Sequence, residues 1–167
     1  VRTAKFLTDT VTTHGVLVGG KNSRCLSVLG AGQIDKYGNI NSTKTASGVF
    51  LVGSGGGNDA VNAREVIVTL KQSKDRFAGT LPFITGRGDA VTTVVSTMGV
   101  FKKSGAGEGL VLKSCLPGTW APNLEEKIKL VQEHCGWALE TDQVNEAPLP
   151  SVEELELLRW LLASGSE

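Results

Sequence analysis

The segment Gly53-Ser54-Gly55-Gly56-Gly57-Asn58-Asp59 sets four glycines within seven residues, between the apolar run 49–52 and the β-branched run 65–70. Glycine lacks a Cβ, so such a stretch lets a ligand approach the backbone and takes conformations that other residues resist. Asn58 and Asp59 are suited to cap a short helix reaching to about residue 64. A helix opening at a strand end turns unpaired N–H groups and positive dipole toward the loop, which suits an anion or an oxyanion. The order strand, glycine loop, short helix, strand favours a buried, largely parallel sheet. Glycine-rich turns also form for packing alone, so the rest of the chain has to decide the role of this one.

With 167 residues the chain has room for one ordinary domain and is cramped for two. Lysine and arginine total 17 and aspartate and glutamate total 17, so no net field draws it to nucleic acid, an anionic membrane or a polyacidic substrate. No apolar run approaches the roughly 20 residues that span a bilayer, and no basic leader opens the sequence. A soluble, cytoplasmic protein is expected. Cys25, Cys115 and Cys135 are odd in number and widely spaced, matching neither a disulfide framework nor a zinc pattern. They are expected to be reduced, partly buried thiols, with no bound metal. A start at Val1 and a single methionine, Met98, point to an N-terminally incomplete stretch of a longer polypeptide, with a partner upstream.

Along the chain, residues 4–13 are compatible with a short amphipathic helix that Gly15 or Gly19-Gly20 would stop. Residues 25–29 read as a buried strand, 35–39 as a turn, 49–52 as a second short strand and 65–70 as a third. Short strands are also expected at 81–85, 91–96, 99–101 and 110–112. Asn123-Leu124-Glu125-Glu126 opens a helix with apolar positions at helical spacing until Gly136. Residues 147–150 form a stiff link, and Ser151-Val152-Glu153-Glu154 is a capping box for a last helix over 152–163.

Gly30-Ala31-Gly32-Gln33-Ile34-Asp35 is the second cluster with room for chemistry, followed by Tyr37-Gly38-Asn39-Ile40-Asn41-Ser42-Thr43. Small residues leaving a strand end make space at the carboxyl edge of a sheet, where open α/β folds place their sites. The amides of Gln33, Asn39 and Asn41 can donate to a carbonyl or a developing oxyanion, or can serve only their own turn. His14 and His134 read as structural, and His134 cannot pair with the adjacent Cys135 because neighbouring helical residues diverge by about 100°. Arg87-Gly88-Asp89 reads as a turn. Lys71, Lys74 and Arg76 follow a strand end and are either a solvated basic turn or a contact for phosphates. No Walker loop, nucleophile elbow or metal-ligand spacing is present.

Taken together, residues 29–43 and 53–59 resemble the family I CoA-transferases, most closely the β subunit of glutaconate CoA-transferase. The likeness extends to residues 65–76 and to Glu146-Ala147-Pro148 with the final helix, and is loose from 86 to 122. It implies an α/β fold, an open, largely parallel or mixed sheet flanked by helices, shared with ribose-5-phosphate isomerase-like proteins. The whole chain would be one β-type domain, with 147–167 as its C-terminal link and helix. The resemblance also implies CoA transfer from an acyl-CoA to a carboxylic acid through a glutamyl-CoA thioester. It makes Asn41 an oxyanion contact, and Gly30, Ala31, Gln33, Gly53, Gly55, Gly56, Gly57 and Asn58 contacts of the acyl-CoA. Coenzyme A would be a substrate, with no permanently bound cofactor. The family's nucleophile motif, of Ser-Glu-Asn-Gly or Glu-Ser-Gly type, does not occur, and Glu65 is no substitute. The glutamate is therefore expected N-terminal to Val1, and an α-type subunit or domain is expected as partner in an oligomer. An acyl-CoA hydrolase of the same family and a noncatalytic phosphate- or nucleotide-binding module are the alternatives.

Overall fold

The β-branched residues concentrate where the sheet is deepest, as seen in a computed structural model that describes residues 6–103, 105 and 107–164. Strands β1 (Leu26–Gly30), β2 (Gln33–Ile34) and β3 (Ile40–Asn41) precede a short helix α1 (Gly57–Ala60) and strand β4 (Glu65–Leu70). There follow β5 (Val91–Ser96), β6 (Gly99–Lys102), β7 (Val111–Cys115), helix α2 (Leu124–Glu133), β8 (Asn145–Glu146) and helix α3 (Val152–Ser164). Six strands form one sheet in the order β1-β4-β5-β6-β7-β8, while β2 and β3 make a separate antiparallel ribbon. β1, β4 and β5 are mutually parallel, β5 to β7 run antiparallel, and β8 joins β7 in parallel, so the sheet is mixed.

Val66, Val68 and Leu70 alternate inward along β4, while along β5 Val91 is buried and, past a register shift, Val94 and Ser96 alternate inward. Phe77 is fully buried and stacks on Phe101 at 5.1 Å and on Trp137 at 5.8 Å between ring centroids. Asn123 caps α2 by accepting from the Glu126 N–H at 2.9 Å. The helix ends before Gly136, whose N–H donates to the Phe77 carbonyl at 2.7 Å and so ties helix end to core. Lys127 of α2 is buried, pairs with Glu146 at 2.7 Å and lies over the Trp120 ring, which secures β8. At α3 the capping box closes as its sequence spells, Ser151 N–H to Glu154 at 2.8 Å and Glu154 N–H to Ser151 Oγ at 3.1 Å.

Several expectations give way for identifiable reasons. Residues 25–29 do not form a buried strand: β1 is an edge strand with Leu26 and Val28 exposed. It is also β1, rather than 49–52, that supplies a parallel partner to β4. Residues 49–52 instead fold back on 43–45 through the Leu51 N–H to Thr43 and the Thr45 N–H to Val49, at 2.8 and 2.9 Å, leaving Val49, Phe50 and Val52 exposed. Residues 81–85 include Pro82, which has no N–H for a ladder; the chain there meets β3 only through Thr85 and Gly86. The helix expected over 58–64 is only α1, led by Gly56 with no side-chain cap, and Asn58 lies inside it. Residues 4 and 5 of the first expected helix lie outside the described residues. Beyond them Asp9 accepts from the Thr12 hydroxyl at 2.7 Å and its N–H at 2.9 Å, bonds that hold its carboxyl down to about 2. A π-helical segment then spans Thr12–Val18, passing Gly15 and ending at Gly19. β8 has no sequence signal of its own, since two residues are too few for a period.

Because Phe77 anchors both the aromatic stack and the Gly136 tie, Phe77→Ala should lower stability by about 3–5 kcal/mol. Urea unfolding followed by tryptophan fluorescence measures it, and a loss below about 1 kcal/mol would contradict this view of the core.

Candidate functional site

β1 releases the chain at Gly30, and Ala31 and Gly32 carry it into the β2–β3 ribbon. There, at the carboxyl end of a parallel strand, Gly30, Ala31, Gly32, Ser42, Leu51, Val52, Gly53 and Arg76 enclose a cleft of about 290 Å³. Gly32 has to be glycine: a Cβ would fall 2.8 Å from Leu51 Cδ1 and 2.9 Å from the Asn41 carbonyl. Gly53 sits at φ +89°, the left-handed region, and its N–H donates to the Ser42 carbonyl at 2.9 Å. These two constraints bring the first glycine cluster against the second. A wider cavity, about 760 Å³, opens before the amino ends of β1 and β4 among Lys21, Arg24 and Arg64. None of the sequence-predicted site residues lines it, and the chemistry of parallel sheets favours the carboxyl edge.

Asn41, fully buried, organises the floor. Its Nδ2 donates to Gln33 Oε1 at 2.8 Å and to the Lys44 carbonyl at 2.7 Å, and its Oδ1 accepts from the Thr43 N–H at 3.0 Å. Both amide hydrogens are thereby engaged within the protein. Gln33 in turn donates from Nε2 to the Asp75 carbonyl at 2.8 Å. Ser42 N–H donates to Thr85 Oγ1 at 2.9 Å, and the Thr43 and Thr85 hydroxyls meet at 2.7 Å. Asn39 serves its own turn: its amide donates to Asp35 at 2.8 Å, and its Oδ1 accepts from Gly88.

Of the residues singled out by sequence, Gly30, Ala31 and Gly53 thus share one cleft. Gln33 opens instead on the neighbouring surface with Lys74 and Asp75, and Asn58 on a groove with Asn62, Thr85 and Arg87. Asn58 Oδ1 accepts from Ser54 Oγ at 2.7 Å, closing the glycine loop on itself. Gly56 lies against His14, whose Nε2 would stand 2.8 Å from a Cβ there, so the loop meets an imidazole that the sequence leaves far away; a Cβ at Gly55 would have nothing within 4 Å and one at Gly57 only Ser54. His134 Nδ1 lies 2.9 Å from the Leu130 carbonyl, a helix-end contact. Arg87 and Asp89 pair at 3.1 Å on the surface.

No carboxylate is among the residues that line the cleft. Glu65 pairs with Leu26 while Thr69 pairs with Gly30, so Glu65 lies four residues, about 13 Å, down the strand from it. It accepts from Thr92 Oγ1 at 3.0 Å. Burial raises the Cys115 thiol and pushes Cys135 up to about 11, which keeps both inert. Among the described residues no His, Cys, Asp or Glu cluster fits a metal ion, and no helix is long and apolar enough to cross a membrane. Sequence reasoning missed Leu51 and Val52, which come into place through the folding back of 43–52. Ser42 lay within the second cluster and Arg76 in the basic turn after β4, but neither was assigned to the acyl-CoA site.

The chain is 31% identical over 156 aligned residues to the β-type subunit of the 3-oxoadipate CoA-transferase of Pseudomonas knackmussii, covering 81% of this chain and 57% of that relative. It is 32% identical over 72 residues to the β-type subunit of the glutaconate CoA-transferase of Acidaminococcus fermentans, covering 41% of this chain and 27% of that relative. The chain thus spans little more than half the length of the first of these relatives. No family model matches it. Among solved structures, glutaconate coenzyme A-transferase from Acidaminococcus fermentans superposes with a TM-score of 0.70 at 24% identity, over 83% of this chain and 58% of that one. IpdAB of Rhodococcus jostii RHA1 gives 0.67 at 22% identity, over 80% and 59%. The α/β fold, with its mixed sheet, is the one these structures share.

Asn41→Ala would strand the Lys44 carbonyl, Gln33 Oε1 and the Thr43 N–H. A loss of about 1–3 kcal/mol in urea unfolding is expected, together with faster proteolysis within 43–52. Unchanged stability and unchanged cleavage would contradict the role given to this amide.

Proposed function

We propose, for a chain related in sequence to the β-type subunits of CoA-transferases and sharing their fold, that it supplies one wall of an acyl-CoA site in a CoA-transferase. The observation that carries this reading is the cleft that unites Gly30, Ala31 and Gly53 at the carboxyl end of β1 without any carboxylate of its own. In the reaction, a glutamate carboxylate attacks the thioester carbonyl and the thiolate of CoA departs, leaving a mixed anhydride. The thiolate then attacks the glutamyl carbonyl and expels the first carboxylic acid, giving the glutamyl-CoA thioester. A second carboxylate repeats these steps in reverse and leaves as acyl-CoA. The glutamate comes from outside this cleft, from another part of the full-length protein or its partner.

Each group has a place in that scheme. Gly30, Ala31 and Gly53 let the thioester lie against backbone, where a side chain would block it. Asn41 serves the oxyanion as a positioning residue: with its own hydrogens engaged, it orders the Thr43–Lys44 turn that follows Ser42 at the cleft. Gln33 braces Asn41 from the adjacent surface. Gly55, Gly56, Gly57 and Asn58 form the outer loop along which CoA extends. Coenzyme A is substrate here, and no resident cofactor takes part. Exposed apolar residues on edge strand β1 and on α3, among them Leu26, Val28, Leu157, Leu158 and Trp160, support an α-type partner in a hetero-oligomer. The four-residue α1 gives little dipole for a phosphate module built on the same loop.

The full-length protein, co-expressed with its α-type partner, is incubated with an acyl-CoA and a second carboxylic acid, and both acyl-CoA species are followed by chromatography. Transfer that requires the acceptor acid is expected. CoA release at the same rate without acceptor would make it a hydrolase, and tight ATP binding with no CoA response would make it a nucleotide module.

A further inference from the structure

The basic cavity of about 760 Å³ lies before the amino ends of β1 and β4, at the opposite end of β1 from the glycine-lined cleft. Strand register builds it. Leu26 and Glu65 stand opposite each other in the parallel ladder, so Arg24 and Arg64, which precede them, emerge at one edge of the sheet although they are far apart in sequence. Lys21 joins them from the turn after the π-helical segment, where Gly20 has to be glycine because a Cβ would collide with the Val16 carbonyl oxygen. Ser23 ties that turn down, its N–H donating to the Gly20 carbonyl at 2.8 Å and its hydroxyl to the Leu17 carbonyl at 2.9 Å. The cations take no part in holding this backbone. Ion pairs of the described residues join Arg87 to Asp89 and Lys127 to Glu146, and among those residues no hydrogen bond or ring contact engages Lys21, Arg24 or Arg64. The Asn22 carboxamide and the N–H groups of Lys21 and Asn22 are likewise without partners there. No carboxylate lines the cavity.

We propose that this cavity binds the diphosphate group of a nucleotide. Like charges gathered without a counter-charge repel one another, and here they gather in a chain whose basic and acidic residues balance at 17 each. Free guanidinium, ammonium and backbone N–H groups converging on one space are the donors that phosphate oxygens take. A lone carboxylate would leave most of that charge uncompensated, whereas a diphosphate carries charge on both phosphorus centres. The rest of the wall is glycine, serine and asparagine, so an acyl chain finds no apolar cover and a base no aromatic ring to stack on. Recognition therefore stops at the phosphates. The volume falls among small-molecule sites, which run from roughly 300 to 1,000 Å³. This inference goes beyond the CoA-transferase reading, which concerns the other end of β1. The diphosphate has two sources, a free nucleotide and CoA itself, because a groove bordered by Asn58 of the glycine loop shares Gly19 and Asn62 with the cavity.

The test is calorimetric titration of the full-length protein with its α-type partner, at low salt, using pyrophosphate, ADP, adenosine and sulfate. Pyrophosphate and ADP should bind comparably, adenosine should give no heat, and sulfate should bind more weakly. Added salt should weaken the binding, because the cations are exposed. Arg24→Gln and Arg64→Gln should each lower the affinity for pyrophosphate by about 10- to 100-fold, the range that loss of a charged hydrogen bond gives, at an unchanged melting temperature. Arg64→Lys should keep part of the affinity. A wild type that ignores pyrophosphate, sulfate bound as tightly as pyrophosphate, or wild-type affinity in both glutamine variants would overturn the inference. ADP that leaves the affinity for CoA untouched identifies a free nucleotide as the ligand. ADP that displaces CoA, with both weakened by the same variants, identifies the diphosphate of CoA; the cavity keeps its role in either case. Pyrophosphate binding without any CoA exchange would overturn the CoA-transferase reading and leave this inference standing.

Discussion

The site depends on one buried carboxamide. Asn41 ends β3, and its side chain reaches both Gln33 across the ribbon and Lys44 in the turn beyond it. Through those bonds the antiparallel ribbon is tied to the point where residues 43–52 fold back, and that fold-back delivers Leu51, Val52 and Gly53 to the mouth of β1. A buried amide left without partners costs more than its hydrogen bonds yield, so this network is satisfied as a whole or not at all. The glycines are its complement: Gly32 permits the Asn41 carbonyl to come close, and Gly53 permits the turn.

Around that floor the sheet provides rigidity. β1 and β4 run in register from Leu26 with Glu65 to Gly30 with Thr69, so the cleft opens where the parallel ladder stops. The long crossover between these strands is what makes the site, because ribbon, fold-back and glycine loop all lie within it. On the far side the chain turns antiparallel and closes over Phe77, Phe101 and Trp137. Arg76 immediately precedes Phe77, so the same core that stabilises the fold also holds the cation at the cleft in place.

Much of this was legible in the sequence where the signal is local. β4 and β5 follow from β-branched alternation, α2 from the Asn123 cap and apolar spacing, and α3 from its capping box. The two glycine clusters, in their order and separation, carried the likeness to CoA-transferases that the sequence comparisons now show. What was not legible is long-range. An apolar run such as 49–52 does not announce its partner, and it folded on itself while β1 took the place beside β4. The cap offered by Asn58 lost to Gly56, which starts the helix two residues earlier than the side chains alone would. Arg76 reaches the cleft across 44 positions, a closure that no local pattern encodes.

The central claim is that the glycine-lined cleft at the end of β1 receives the acyl-CoA. A Cβ added at Gly30 has nothing within 4 Å, so Gly30→Val can intrude on the cleft without straining the fold. The direct measurement is kcat/KM for acyl-CoA in the complex of the full-length protein, read beside its melting temperature. The account predicts a fall of about tenfold or more, the equivalent of about 1.4 kcal/mol, at an unchanged melting temperature. Wild-type kinetics with a valine at this position would contradict it.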